Sequence, residues 1–163
     1  IHILENIDRP MFLYAENEKA KIEFSTTLPK IIDNDVYADD DDEVIWFKKK
    51  YTYILAETIQ MRLTDKVKNK VYYIEVEVGF FHDGASIHIV FKRIIGDPRD
   101  LRFKISSFIH DILCLIHKCV DNDRYFSTCV FDLANTKTKT WAFTRWMMKH
   151  SVDNWQKFQG WGK

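Results

Sequence analysis

The chain has 163 residues, 46% of them apolar and 15% aromatic, with five glycines and three prolines, enough for one domain with its own core and incompatible with disorder throughout. Lysine plus arginine match aspartate plus glutamate, 24 against 24, so no global field draws the chain onto nucleic acid or an anionic membrane, and such binding would need a local patch. Cys114, Cys119 and Cys129 lack a secretory framework, no apolar run reaches the roughly 18 residues of a bilayer span, and no signal-peptide pattern opens the chain. The expectation is one intracellular domain over 1–163, cytoplasmic or nuclear, with free thiols.

In chain order, residues 18–27, EKAKIEFSTT, alternate as a strand with Ala20, Ile22 and Phe24 on one face, closed by Pro29. The acidic run Asp33, Asp35, Asp39 to Asp42 and Glu43 predicts a solvated, mobile loop over about 33–43. A calcium loop there fails in register, because Ala38 stands where the sharp turn needs glycine and Val44 where a bidentate glutamate is needed. Residues 45–64 fit a helical stripe and a strand face alike, and the Tyr and Thr content of YTYILAETIQMRLT favours the strand.

Val71 to Phe80 and Ser86 to Ile94 alternate around Asp83-Gly84, a pairing that predicts a hairpin because Asp-Gly supplies positive φ. Asp97-Pro98 predicts a helix start, and Leu101, Ile105, Phe108, Ile109, Ile112, Leu113, Ile116 and Val120 mark its apolar face. Residues 125–133, YFSTCVFDL, read as a further strand with a partner at 141–147, before a short helix near 151–158. The predicted fold class is α+β: an antiparallel meander with an Asp-Gly hairpin, packed against one main amphipathic helix at about 98–120, with a short C-terminal helix.

His110, Cys114 and His117 fall at i, i+4 and i+7, and soft ligands at i, i+4 can hold zinc. Residues seven apart lie about 10.5 Å apart along a helix axis, so one ion engages two of the three. His110 and Cys114 are therefore the metal candidates, against the plainer expectation of a wet helix face and no cofactor. Cys114 with His117, or Ser106 with His110, could form a nucleophile and base, but nothing in the chain nominates the orienting group such chemistry needs. Glu75 and Glu77 share a strand face, the arrangement of a solvent side as much as of acid and base catalysis. No phosphate-cradling glycine loop, CxxC, HExxH or GxSxG occurs.

Two stretches interleave aromatics with cations: Trp46 to Tyr51, which contains Lys48, Lys49 and Lys50, and the tail from Lys137 to Lys163. The tail carries Trp141, Trp146, Trp155 and Trp161 among Lys137, Lys139, Arg145, Lys149, Lys157 and Lys163, against one acid, Asp153. Trp46, Trp141 and Trp146 are expected in the core, whereas Trp155 and Trp161 sit in a polar context that calls for a partner surface. The candidate interaction or nucleic-acid-binding residues are Trp155, Lys157, Trp161, Lys163, Arg145, Lys149, Lys48, Lys49 and Lys50.

The run LCLI at Leu113 to Ile116, ahead of a predicted strand and a Trp-bearing strand, faintly resembles the C-terminal half of cap-binding translation initiation factors. The tryptophans and glycines with which that family sandwiches a base have no matching positions, so no site residue carries over. The function expected is a non-enzymatic binding or assembly module that self-associates or docks into a larger protein or ribonucleoprotein assembly, a viral structural layer among them, through its aromatic, basic C-terminal segment. The alternatives are single-stranded RNA binding and a metal-dependent enzyme using His110 and Cys114.

Overall fold

The computed structural model describes residues 1–51, 53–82, 103–117, 124–137 and 142–158, apart from the side chains of Ala142, Phe143 and Trp155. In chain order the strands β1 (His2–Leu4), β2 (Phe12–Glu16), β3 (Ala20–Phe24) and β4 (Ile31–Asp33) precede helix α1 (Asp42–Lys50). Strands β5 (Tyr53–Leu55), β6 (Ile59–Asp65), β7 (Lys70–Val76) and β8 (Phe81–His82) follow, then helices α2 (Lys104–Ile116), α3 (Arg124–Lys137) and α4 (Ala142–Phe158). The strands form a five-stranded sheet, ordered β1-β7-β6-β3-β2, and a three-stranded sheet, ordered β4-β5-β8. Every pairing among the described residues is antiparallel, and the fold is α+β as predicted.

Period-two alternation builds the large sheet. Ala20, Ile22 and Phe24 of β3 and Ile59, Met61 and Leu63 of β6 all point into the core, each wholly buried. The β6–β7 hairpin turns on Asp65, whose Oδ1 accepts from the backbone N–H groups of Val67 and Lys68 at 3.0 and 3.1 Å, and on Asn69 at φ 52°. On the other face of β3 and β6, the Arg62 guanidinium forks onto Glu23 through Nε at 2.6 Å and Nη2 at 2.7 Å. The two residues are direct cross-strand partners.

Helix α2 presents Ile105, Phe108, Ile109, Ile112, Leu113 and Ile116 to this core, and Phe126, Val130 and Leu133 of α3 join it. Phe126 stacks on Tyr72 of β7 at 5.4 Å. A second apolar cluster, Phe103, Phe131, Met147, Met148 and Val152, fastens α4 onto α3.

Four expectations change. Residues 125–133 and 142–147 are helical, not strands, and the final helix begins at Ala142. Six consecutive residues of α3, Phe126 to Phe131, are buried, so its aromatic and β-branched content reflects a helix enclosed on most sides rather than a strand. Residues 45–50 belong to α1, and among the described residues of the predicted 45–64 strand those in strands are 53–55 and 59–64. The acidic run is exposed over much of its length, as solvation of its charges requires, but it has local order: Asp33 ends β4, Asp41 caps α1 and Asp42 with Glu43 forms its first turn. The Asp83-Gly84 turn, the strand at 86–94 and the Asp97-Pro98 start lie outside the described residues.

Candidate functional site

The short strand pair β5–β8 brings chemistry-bearing residues against α2. Leu55 N–H donates to the Phe80 carbonyl at 2.7 Å and Gly79 N–H to the Leu55 carbonyl at 2.8 Å, and Gly79 takes φ +92°, a conformation that favours glycine. This tight return leads Phe80, Phe81 and His82 toward α2. Between them opens a cleft of about 440 Å³, walled by Tyr51, Phe80, Phe81 and Leu115 and carrying the polar groups of Lys50, His82, Asp111 and Cys114.

His82 is only 2% exposed. Its Nε2 lies 3.3 Å from the Lys104 carbonyl oxygen, which can only accept, so Nε2 carries the proton and Nδ1 is left as a bare acceptor. That Nδ1 is buried and has no partner among the described residues. Burial pushes the ring down to about 4, outweighing the hydrogen bond to Lys104, and His82 is neutral near pH 7. Lys104 in turn donates from Nζ to the Ile31 carbonyl at 3.1 Å, which ties the start of α2 to the small sheet.

Behind Cys114 lies a buried polar seam joining three helices. The Gln156 side-chain amide of α4 donates from Nε2 to Nε2 of His110 at 2.5 Å and to Ser127 Oγ at 3.3 Å. Its Oε1 accepts from Thr128 Oγ1 at 3.3 Å, and at the rim Arg124 Nε donates to Asp153 at 3.0 Å. Accepting from Gln156 leaves the neutral His110 ring with its proton on Nδ1, 4.0 Å from Asp111 Oδ1. Burial pushes His110 down to about 4.

Cys114 Sγ stands 3.7 Å from both ring nitrogens of His110. Burial, and after it the charge of Asp111, push its thiol up to about 12. The pair at rest is thus neutral thiol beside neutral imidazole, the opposite of the thiolate and imidazolium of an activated nucleophile. His117 Nδ1 donates to the Cys114 carbonyl at 2.5 Å. Among the described residues, no three His, Cys, Asp or Glu side chains converge as metal ligands. The predicted wet face is corrected here: His110 is 8% exposed, held inward by Gln156 and by the Phe131 ring, 5.4 Å away.

The aromatic and basic candidates divide. Lys48 pairs with Asp40 at 2.8 Å and sits over Tyr37 at 4.5 Å; Lys49 is exposed; Lys50 lies 5.0 Å over the Trp46 ring. Arg145 meets Asp132 at 3.7 Å, Lys157 meets Asp153 at 3.2 Å, and Lys149 is half-buried. Trp161, Lys163, Trp141 and the Trp155 side chain lie outside the described residues.

Trp46 and Trp146, expected in the core, are instead 62% and 56% exposed. Trp46 rides on a helix none of whose residues is buried, and Trp146 packs on His150 at 4.6 Å along the outside of α4. Gln156, Asp111 and His82 were not singled out from sequence; the adjacent His110-Asp111 pair was the one signal available.

A protein-family model described as protein of unknown function (DUF1353) matches residues 58–157, more than half of the chain. The chain belongs to this family. The DUF1353 match takes in β6 to β8, α2, α3 and all but the last residue of α4, and leaves α1 and β1 to β5 outside. The polar seam from His110 to Gln156 therefore lies wholly within the DUF1353 region, whereas Lys50 and Tyr51 of the cleft, and Trp46, precede it. Among curated proteins and among solved structures, nothing matches the chain. No helix among the described residues is long and apolar enough to cross a membrane.

Proposed function

We propose that the chain is a non-enzymatic binding and assembly module, and that copies of it associate through α1. The observation that carries this reading is a nine-residue helix with no buried residue that displays Trp46 at 62% exposure. A solvent-facing tryptophan on so short a helix gains nothing from the core, and rings of this kind anchor interfaces.

The charges name the occupant. Asp42 and Glu43 occupy the first turn of α1 and Lys48, Lys49 and Lys50 the last. Two copies laid antiparallel therefore set acid against base at both ends, a self-complementary surface of the kind a two-fold dimer requires. A depression of about 610 Å³ bordered by Asp42, Glu43, Val44, Trp46 and Phe47 can receive a lysine from the second copy against both carboxylate and indole. Helix α4 adds a second aromatic surface, with Trp146 at 56% and Phe158 at 81% exposure, in keeping with docking through the C-terminal segment. The free thiols of Cys114 and Cys129 support an intracellular setting.

Single-stranded RNA binding ranks below this reading, because Lys48, Arg145 and Lys157 each already face a carboxylate. A metal-dependent enzyme ranks below it as well, since His110 Nε2 is engaged by Gln156.

Light scattering across a concentration series tests the proposal. The native chain should pass from monomer to dimer, Trp46→Ser should remain monomeric, and Lys49→Glu with Lys50→Glu should dimerise only when mixed with Asp42→Lys plus Glu43→Lys. A native chain that stays monomeric throughout, or a Trp46→Ser variant that dimerises like it, removes the reading.

A further inference from the structure

We propose that the cleft between β8 and α2 is a ligand site for a flat, uncharged aromatic heterocycle bearing an N–H donor, the class to which indoles and nucleobases belong. Its volume of about 440 Å³ falls within the range of small-molecule sites, which are concave, largely apolar and furnished with a few polar groups that set orientation.

The walls select the shape. Tyr51 and Phe81 pack ring against ring at 4.7 Å, and Phe80 leans on Phe108 at 5.7 Å, so the cleft is bounded by aromatic rings already held in place by neighbours. Leu115, 62% exposed, borders it from α2. A flat ring meets such walls with the offset or edge contacts aromatic groups prefer.

His82 selects the donor. Its Nε2–H is committed to the Lys104 carbonyl, and its Nδ1 is buried without a partner among the described residues. A buried acceptor left unpaired is costly, and buried polar groups without partners are rare. His82 lines the cleft, so a small displacement of the ring offers Nδ1 to a ligand N–H, a partner that no described residue supplies.

The charges select neutrality. Lys50 and Asp111 border the same cleft with opposite charges, so the lining as a whole carries no net charge to favour an anion or a cation. The Cys114 thiol adds a soft, uncharged contact. Lys50 also belongs to α1, but Phe80, Phe81, His82, Cys114 and Leu115 of the cleft do not, so ligand binding and self-association through α1 can each fail while the other stands.

Indole and benzofuran, which share shape and differ in whether the ring carries N–H or oxygen, test the inference by titration against the isotope-labelled chain. Indole should saturably shift the backbone resonances of Phe81, His82 and Cys114, with benzofuran bound roughly three- to tenfold more weakly, the worth of one hydrogen bond. Leu115→Trp, a change at an exposed position, should fill the cleft and abolish binding. In His82→Phe the preference for indole should vanish; should that variant not fold, the indole and benzofuran comparison on the native chain decides the same point. No saturation by indole at millimolar concentration, equal affinity for both rings, or unchanged binding in Leu115→Trp would each overturn the assignment.

Discussion

Gln156 of α4 donates to His110 of α2 across 46 residues of sequence, at 2.5 Å and in the buried interior. The same amide serves Ser127 and Thr128 of α3, so one side chain satisfies polar groups on two other helices. Replacing it with leucine leaves the His110 nitrogen and the Ser127 hydroxyl without the amide. The expected loss is about 1 to 3 kcal/mol in stability, read from the midpoint and slope of urea unfolding. Asn154→Ala, at an exposed position on the same helix, should change little.

Acid should weaken the fold before its carboxylates titrate. Burial lowers both His82 and His110 from 6.5 to about 4, so between those values the unfolded chain takes up protons that the folded chain refuses. Stability is therefore full above pH ~6.5 and declines as pH falls toward 4. The loss is roughly 2 kcal/mol per histidine by pH 5. Glu23 and Asp40 are also shifted down, by the hydrogen bonds of Arg62 and Lys48 first, and their contributions begin to fade only as pH falls into the ordinary carboxylate range, below most of the histidine window. In His110→Asn the slope of stability against pH between 6.5 and 5 should fall by about half, and an unchanged slope would contradict the buried neutral imidazole.

Glu23 and Arg62 should behave as a unit. Their fork of two hydrogen bonds lies across β3 and β6, with the Glu23 side chain 8% and that of Arg62 31% exposed. Glu23→Ala strands a guanidinium that water only partly reaches, at an expected cost of about 2 kcal/mol. Adding Arg62→Ala should cost less than the two single losses summed, a coupling that a double-mutant cycle of chemical denaturation measures directly.

Where burial is one-sided, the pattern of residues was readable. Ala20, Ile22 and Phe24 alternate with more polar neighbours, and Ile109, Ile112, Leu113 and Ile116 recur at helical spacing, because a sheet or helix half covered by core must sort its residues by face. Helix α3 defeats that logic: with Phe126 to Phe131 all buried, no polar face is left to reveal the period. Helix α1 was signalled by its charges more than by its hydrophobicity. Asp41 accepts from the Val44 N–H at 2.9 Å as its N-cap, and acids begin the helix where lysines end it, as the helix dipole favours. The aromatic content of the region pointed to a strand instead, and so to a buried Trp46.

The site was legible only in part, for a related reason. His110 and Cys114 could be paired from i, i+4 spacing, and they do meet at 3.7 Å. Their surroundings come from elsewhere in the chain: Gln156 from α4, and Phe80 and His82 from the return after β7 and from β8. Spacing along one helix cannot report what a second helix places against it, so a ring on the polar side of the sequence pattern proved to be interior.

The thiol beside that ring should be slow to react. Burial and Asp111 push Cys114 up to about 12, against an ordinary thiol near 8.5, and only the thiolate attacks an alkylating reagent. At pH 8 the thiolate population of Cys114 is lower than that of an exposed cysteine by roughly a thousandfold. Peptide mass spectrometry after brief iodoacetamide treatment of the folded chain should find Cys114 unmodified, and modification should become rapid once urea opens the fold. Asp111→Asn removes the second of the two causes and leaves the first, so its thiol should react somewhat faster but remain well below the unfolded rate. Fast labelling of Cys114 in the native chain would mean instead that the thiol is ionised, and would return the Cys114 and His110 pair to consideration as a nucleophile and its base.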